Sequence, residues 1–180
     1  MKTINLRKGF TLIELLIVIT IIGVLAVAFL PSILGAPAKA RDVARKGHLN
    51  QVSNAIEAYV LDGNVYPAAS DDKYMIRCLS NGITPVTSVL PYVQGGAFPR
   101  DPSDTKLPSL GGSHNRICAA GIYMYIKLDK SLSPAQNYAL VAQMENPDNG
   151  NADKADVPIP DGPVTPFTGK DSGQFYVLVR

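Results

Sequence analysis

One long apolar run dominates the first part of the chain. Between Phe10 and Leu30 the only charged side chain is that of Glu14. As a helix this segment would extend about 31 Å, which matches the hydrocarbon thickness of a bilayer. After about Lys39 polar and apolar residues are mixed, as in a domain that folds in water. The pattern therefore predicts a membrane-length helix followed by a soluble head.

The helical pattern continues into the polar part of the chain. An apolar stripe recurs at steps of three, four and three residues and consists of Leu49, Val52, Ile56 and Tyr59. Such spacing places one buried stripe along a helix, and Asp62-Gly63-Asn64 supplies a stop and a turn. We expect one helix over residues 10–62, with an apolar half at 10–34 and a half at 38–62 that packs on the head.

Three helix-breaking residues interrupt this segment: Gly23, Pro31 and Pro37. A proline inside a helix removes a backbone donor and clashes with the preceding turn. We therefore expect the long helix to be bent at these positions.

The head is predicted to occupy residues 63–180. Residues 68–115 are rich in Pro, Gly, Ser and Asp and indicate irregular structure, with a short helix around Thr87–Val93. Alternating patterns then predict strands near residues 117–128, 137–145 and 174–179. We expect an α+β fold in which a small antiparallel sheet packs across the second half of the helix, with its tyrosines in the sheet face.

The charge distribution bears on partners and on the compartment. The net charge is +2, but Lys2, Arg7 and Lys8 precede the apolar run, and a chain that starts at Phe10 carries −1. This balance argues against general nucleic-acid binding. By the positive-inside rule the basic end stays in the cytoplasm and the head crosses the membrane.

The two cysteines, Cys78 and Cys118, would then lie in an oxidising compartment, which favours a disulfide over a metal pair. A disulfide that closes the chain segment between these two cysteines stabilises the fold by about 3–4 kcal/mol in the chain-entropy description. The alternative is a pair of buried free thiols.

Three interpretations compete for the N-terminal segment. It is a secretory signal peptide cut near Ala26-Val27-Ala28, a plain signal anchor, or a leader that is removed before Phe10. Glu14 favours the third, because an unpaired carboxylate in an apolar helix costs a few kcal/mol. Cleavage before Phe10 would create an ammonium group one helical turn away that can neutralise it.

The segment Arg-Lys-Gly-Phe-Thr-Leu-Ile-Glu-Leu-Leu-Ile-Val-Ile, residues 7–19, resembles the leader junction of type IV pilins and type II secretion pseudopilins. The resemblance implies a pilin-like fold and a leader peptide over residues 1–9, which a prepilin peptidase cuts between Gly9 and Phe10. It implies N-methylation of Phe10 and pairing of Glu14 with the N-terminus of a neighbouring subunit. Pro31 matches the proline of the family at this distance from the cut.

Two short motifs of the head also resemble this family. Tyr66-Pro67 follows the helix, and Pro99-Arg100-Asp101-Pro102 supplies a Pro-x-Asp-Pro segment. The Trp-Gly pair that commonly follows this segment in the major secretion pseudopilins is missing.

The resemblance implies a structural subunit of a type IV pilus or related filament. Its partners would be other pilin subunits, the prepilin peptidase, an inner-membrane assembly platform and, before assembly, membrane lipid. The precursor would be a single-pass protein of the cytoplasmic membrane, and the assembled filament would be periplasmic or at the cell surface. The alternative is a minor pilin or pseudopilin that acts at a filament tip as a binding or initiation module, with a local basic patch formed by Arg77, Arg100, Lys106 and Arg116.

Chemistry-bearing motifs are scarce. The sequence contains no nucleophile elbow, zinc-protease helix or phosphate-binding loop, so we expect no enzymatic activity. One stretch offers alternating carboxylate and amide oxygens around a glycine, a donor set that suits calcium, although such residues also fill ordinary turns. The candidate calcium ligands are Asp148, Asn151, Asp153 and Asp156.

Overall fold

The computed structural model of this 180-residue chain describes residues 9–67, 75–79, 86–103, 118, 121–128, 137–153, 157 and 173–180. The chain divides into two compact units, Met1–Pro37 and Ala38–Arg180. We describe each unit by itself, and we call the second unit the head.

A single α-helix, α1, runs from Leu12 to Leu61, so the helix predicted over residues 10–62 is confirmed with slightly shorter ends. The helical assignment continues through Gly23, Pro31 and Pro37, and bends at these positions stay a prediction. Within the first unit, Leu12–Phe29 has a mean hydropathy of 2.9 and is long and apolar enough to cross a membrane.

The head contains a four-stranded antiparallel sheet in the order β1-β2-β3-β4. Its strands are β1 (Met75–Cys78), β2 (Met124–Lys127), β3 (Tyr138–Gln143) and β4 (Phe175–Val179). The last three confirm the three strands predicted from alternation, each shorter than its predicted range. Gly121, with a φ of 78°, forms a turn before β2, which explains why that strand begins late.

The prediction that residues 68–115 are irregular is wrong at β1. This strand pairs with β2, with Ile76 opposite Ile126. Its four residues are too few to show alternation, so only the pairing with a distant strand identifies it. The short helix predicted around Thr87–Val93 is confirmed as a 3-10 helix, Val86–Tyr92.

Both faces of the sheet are buried. One face packs against the stripe of α1, in which Leu49, Val52 and Ile56 are fully buried and Tyr59 is partly buried. Each fully buried aliphatic side chain contributes about 1.5–3 kcal/mol. The tyrosines of this face are Tyr123, Tyr125 and Tyr138. As predicted, they pack in the sheet face, in the same core as the helix stripe.

The opposite face forms a second cluster with Met124, Ile126, Val141, Phe175 and Val177. Cys118 is fully buried in this cluster and is joined to Cys78 by a disulfide. The predicted pairing is therefore confirmed, and it links the end of β1 to the segment that precedes β2.

Candidate functional site

The start of α1 carries a reciprocal cap between Thr11 and Glu14. The Thr11 hydroxyl accepts a hydrogen bond from the Glu14 backbone N–H at 3.3 Å, and the Glu14 carboxylate accepts from the Thr11 N–H at 2.8 Å. The Thr11 hydroxyl also donates to this carboxylate at 2.6 Å. This arrangement is a capping box, which satisfies two helix-terminal donors at once. This capping box was not among the predicted features, although Thr-x-x-Glu before an apolar run is its sequence signature.

The apolar half of the helix is exposed along its described length. Every side chain from Phe10 to Phe29 is exposed, and Phe10 is 86% exposed. Such a continuous apolar surface marks contact with lipid or with other protein. Gly9 and Phe10 lie just before the helix, outside regular secondary structure, and a Cβ added at Gly9 would meet no described atom within 4 Å.

In the head, α1 is anchored by a buried arginine. The guanidinium of Arg45 is completely buried and donates from Nε and Nη2 to the two carboxylate oxygens of Asp101, at 2.6 and 2.9 Å. It also donates to Asp42 at 2.5 Å and to Glu145 at 2.7 Å. Arg45 therefore binds its own helix, the Pro-x-Asp-Pro segment and the end of β3 together. We call Asp42, Arg45, Asp101 and Glu145 the Arg45 network.

Asp42 of this network holds the turn after β3. Its carboxylate accepts the backbone N–H of Glu145 at 2.9 Å and of Asn146 at 3.1 Å, and the side-chain amide of Asn149 at 2.8 Å. Three donors on a fully buried carboxylate compensate most of the cost of removing it from water. The turn therefore depends on a side chain of the helix.

Sequence reasoning did not find the Arg45 network, but a signal was present. Going backwards from Leu49 at the helical steps of four and three residues leads to Arg45 and Asp42. A charged pair that continues an apolar stripe faces the core, where charges must be paired.

Hydrogen bonds set the ionisation of the three carboxyl groups. Burial disfavours the charged form of Asp42 and Asp101, but the hydrogen bonds they accept, including those from Arg45, outweigh burial and lower the pKa of both. For Glu145 the hydrogen bond from Arg41 is the largest effect, and together with the hydrogen bond and charge of Arg45 it lowers the pKa from 4.5 to about 2. All three groups are therefore anionic at neutral pH.

These shifts predict acid-sensitive stability of the head. A carboxyl group whose pKa is lowered by folding stabilises the fold above its unfolded pKa, and this contribution is lost as the pH falls through the folded pKa. We expect the denaturation midpoint of the head to fall steadily from pH 4.5 towards pH 2. Glu145→Gln should flatten part of this dependence. A midpoint that stays constant over this range would contradict the prediction, and thermal denaturation followed by circular dichroism would measure it.

His48 lies on the helix next to the apolar stripe and is partly buried. Its Nδ1 lies 2.8 Å from the Tyr123 hydroxyl oxygen, and burial lowers the pKa of its imidazole. His48 therefore belongs to the packing between α1 and the sheet.

The Tyr66-Pro67 motif fixes the chain where it leaves α1. The Tyr125 hydroxyl donates to the Pro67 carbonyl at 3.1 Å, and the ring of Tyr66 packs 5.5 Å from that of Tyr138. Glu57 accepts a hydrogen bond from the Tyr138 hydroxyl at 2.9 Å. The motif is thus held by core tyrosines.

The candidate calcium ligands are only partly described. Asp156 lies outside the described residues, and the described part of the chain holds no group of three or more His, Cys, Asp or Glu that fits a metal ion. The Asn151 amide is bonded to the backbone of Val177 in both directions, so its oxygen already has a partner. Calcium binding stays a prediction.

Comparison with known proteins extends these observations. Residues 4–30 match the family described as the prokaryotic N-terminal methylation motif. The type II secretion system core protein G of Vibrio cholerae is 33% identical over 106 residues, which cover 58% of this chain and 68% of the relative. Fimbrial protein Q of Moraxella bovis is 33% identical over 123 residues, 66% of this chain and 78% of the relative.

A third relative is the type IV wide pilus major component of Thermus thermophilus. It is 48% identical over 59 residues, which cover 33% of this chain and 45% of the relative. No solved structure matches the chain.

An exposed apolar helix long enough to cross a membrane, together with an α+β head, is typical of subunits of pilin-like filaments. The chain belongs to the family of type IV pilins and type II secretion pseudopilins, and it is a structural filament subunit.

Proposed function

We propose that this subunit is made as a precursor, cut between Gly9 and Phe10, N-methylated on Phe10 and assembled through the exposed apolar half of α1. The observation that carries the proposal is the continuous exposed surface from Phe10 to Phe29, within a segment that matches the N-terminal methylation family. Exposure of such an apolar surface to water is unfavourable, so the surface must be covered by lipid or protein. Lipid covers it before assembly and the helices of other subunits cover it afterwards.

Accessibility supports cleavage at this position. A peptidase needs an accessible peptide bond outside regular secondary structure, and Gly9 and Phe10 lie outside the helix with Phe10 largely exposed. Removal of residues 1–9 also removes Lys2, Arg7 and Lys8. These cations hold the precursor's N-terminus on the cytoplasmic side, with the head across the membrane.

Glu14 would act after cleavage. Its carboxylate lies at the first turn of an apolar helix, where a charge without a partner is costly. The α-ammonium of Phe10 on a neighbouring subunit provides the opposite charge. This pairing would fix the axial position of one subunit relative to the next. The proposed role is structural throughout and involves no catalysis by this chain.

Replacing Gly9 tests the processing step. We expect Gly9→Val to leave an uncut precursor in the membrane, because a bulky side chain then occupies the residue before the cleaved bond. The structure has space at this position, with no described atom within 4 Å of an added Cβ, so the fold should be unchanged. Intact-protein mass and N-terminal sequencing would measure the outcome, with methyl-Phe10 expected for the unmodified chain.

Gly23→Ala is the matched control for this experiment. An added Cβ at Gly23 also meets no described atom within 4 Å, and alanine favours the helix, so this variant should be processed normally. Cleavage of Gly9→Val at the usual bond would refute the proposed processing site.

A further inference from the structure

Strand β4 lies at the edge of the sheet and carries no charge. Its sequence, Phe-Tyr-Val-Leu-Val, contains none of the lysines or prolines that usually prevent an edge strand from pairing with another chain. A short, uncharged, β-forming segment of this kind has a high tendency to associate. Some other feature must therefore keep this edge closed.

The register shows which groups of β4 face outward. The backbones of Tyr138 and Arg180 exchange hydrogen bonds, so the even-numbered residues of β4 bond to β3. The odd-numbered residues direct their N–H and C=O groups away from the sheet. Phe175 and Val177 are thus the outward-facing residues at the start and the centre of the strand.

The segment of Asn151 and Ala152 occupies this outer edge. Phe175 donates its N–H to the Ala152 carbonyl at 2.8 Å and accepts the N–H of Asn151 at 2.7 Å. The side-chain amide of Asn151 then bonds to the backbone of Val177 in place of the peptide group of a neighbouring strand. Its Oδ1 accepts the Val177 N–H at 2.6 Å, and its Nδ2 donates to the Val177 carbonyl at 2.9 Å.

Two glycines allow this close approach. A Cβ on Gly150 would lie 1.9 Å from the Gly173 carbonyl oxygen, and a Cβ on Gly173 would lie 2.3 Å from the Ala152 carbonyl oxygen. Real Cβ atoms do not approach backbone so closely, so only glycine fits at either position. The backbone is therefore shaped to bring Asn151 against β4.

We propose that Asn151 is an edge cap that prevents β4 from pairing with β4 of a second copy of this chain. Antiparallel pairing of two such strands about Val177 would use the same backbone groups that Asn151 and Ala152 now occupy. A filament holds the heads of its subunits at high local concentration, which favours any contact that remains open. With the cap in place, contacts of the apolar helix and not of β4 determine which subunits associate and in which register.

The test compares Asn151→Ala with the unmodified full chain in detergent. We expect the Val177 amide to exchange hydrogen about tenfold faster or more at low protein concentration, the factor expected when hydrogen bonds of ordinary strength are lost. At high concentration its protection should return, and sedimentation should detect larger species, because a second copy then covers the part of the edge at Val177 that the Asn151 side chain has left. Asn151→Asp should behave similarly, since its carboxylate cannot donate to the Val177 carbonyl, and it retains the size of the side chain.

Asn149→Ala is the matched control, because it removes a hydrogen bond of the same turn, to Asp42, without touching β4. We expect it to leave both Val177 exchange and association unchanged. Unchanged Val177 protection in both Asn151 variants would overturn the proposal. Faster exchange without association at any concentration would also overturn it, as would an equal effect of Asn149→Ala.

Discussion

Replacing Arg45 by methionine is expected to lower the free energy of unfolding of the head by about 3–5 kcal/mol, the usual cost of removing one partner from a buried ion pair. Methionine fills a similar volume but leaves Asp42 and Asp101 buried without a counter-charge. The same change removes the hydrogen bond from Arg45 to Glu145. Chemical denaturation of the full chain in detergent, followed through the tyrosines of the core, would measure the loss.

Arg41 provides a control one helical turn away. Its side chain is 37% exposed and its ion pair with Glu145 lies at the surface, so Arg41→Met should cost no more than about 1 kcal/mol. Combining Arg45→Met with Asp101→Leu should recover part of the lost stability, because both charges are then removed together. Equal losses for the two arginine variants would contradict the central role of Arg45.

The second large effect is expected at Glu14, where Glu14→Gln should allow cleavage but abolish filaments. Glutamine can still serve in a capping box, so the start of the helix should remain intact. It cannot neutralise the α-ammonium of a neighbouring subunit. Electron microscopy of sheared filaments, together with the mass of the processed subunit, would separate assembly from processing.

Thr11→Ala is the complementary variant, because it removes the hydroxyl that caps the helix and keeps the Glu14 charge. Loss of a cap costs about 0.5–2 kcal/mol, and we expect filaments to persist in this variant. If Thr11→Ala abolished filaments and Glu14→Gln did not, capping rather than charge pairing would be the function of Glu14.

Local sequence patterns predicted the parts of this fold that depend on local physics. The stripe of Leu49, Val52 and Ile56 identified the buried helix face, and alternation identified β2, β3 and β4. The disulfide followed from the count of cysteines and the expected compartment. Each of these features has a period or a composition that a short window of sequence displays.

Apart from the capping box of Thr11 and Glu14, the features that escaped prediction depend on contacts between distant residues. Arg45 meets Asp101 and Glu145, which lie 56 and 100 positions later in the chain. Likewise β1 is recognisable only through β2, and the capping of β4 only through Asn151 and Val177. The Pro-x-Asp-Pro motif was visible in the sequence, but its role as the acceptor of a buried arginine required the fold.

The Arg45 network also determines when the head can complete its fold during synthesis. Because the ribosome synthesises the chain from its N-terminus, Arg45 emerges long before Glu145, its partner 100 residues later. Until Asp101 and then Glu145 have been synthesised, the Arg45 guanidinium lacks most of its hydrogen-bond partners, and burying it before then would be unfavourable. The Arg45 network is therefore complete only after β3 and Glu145 have been synthesised, and nascent chains that stop short of β3 should remain open to proteases.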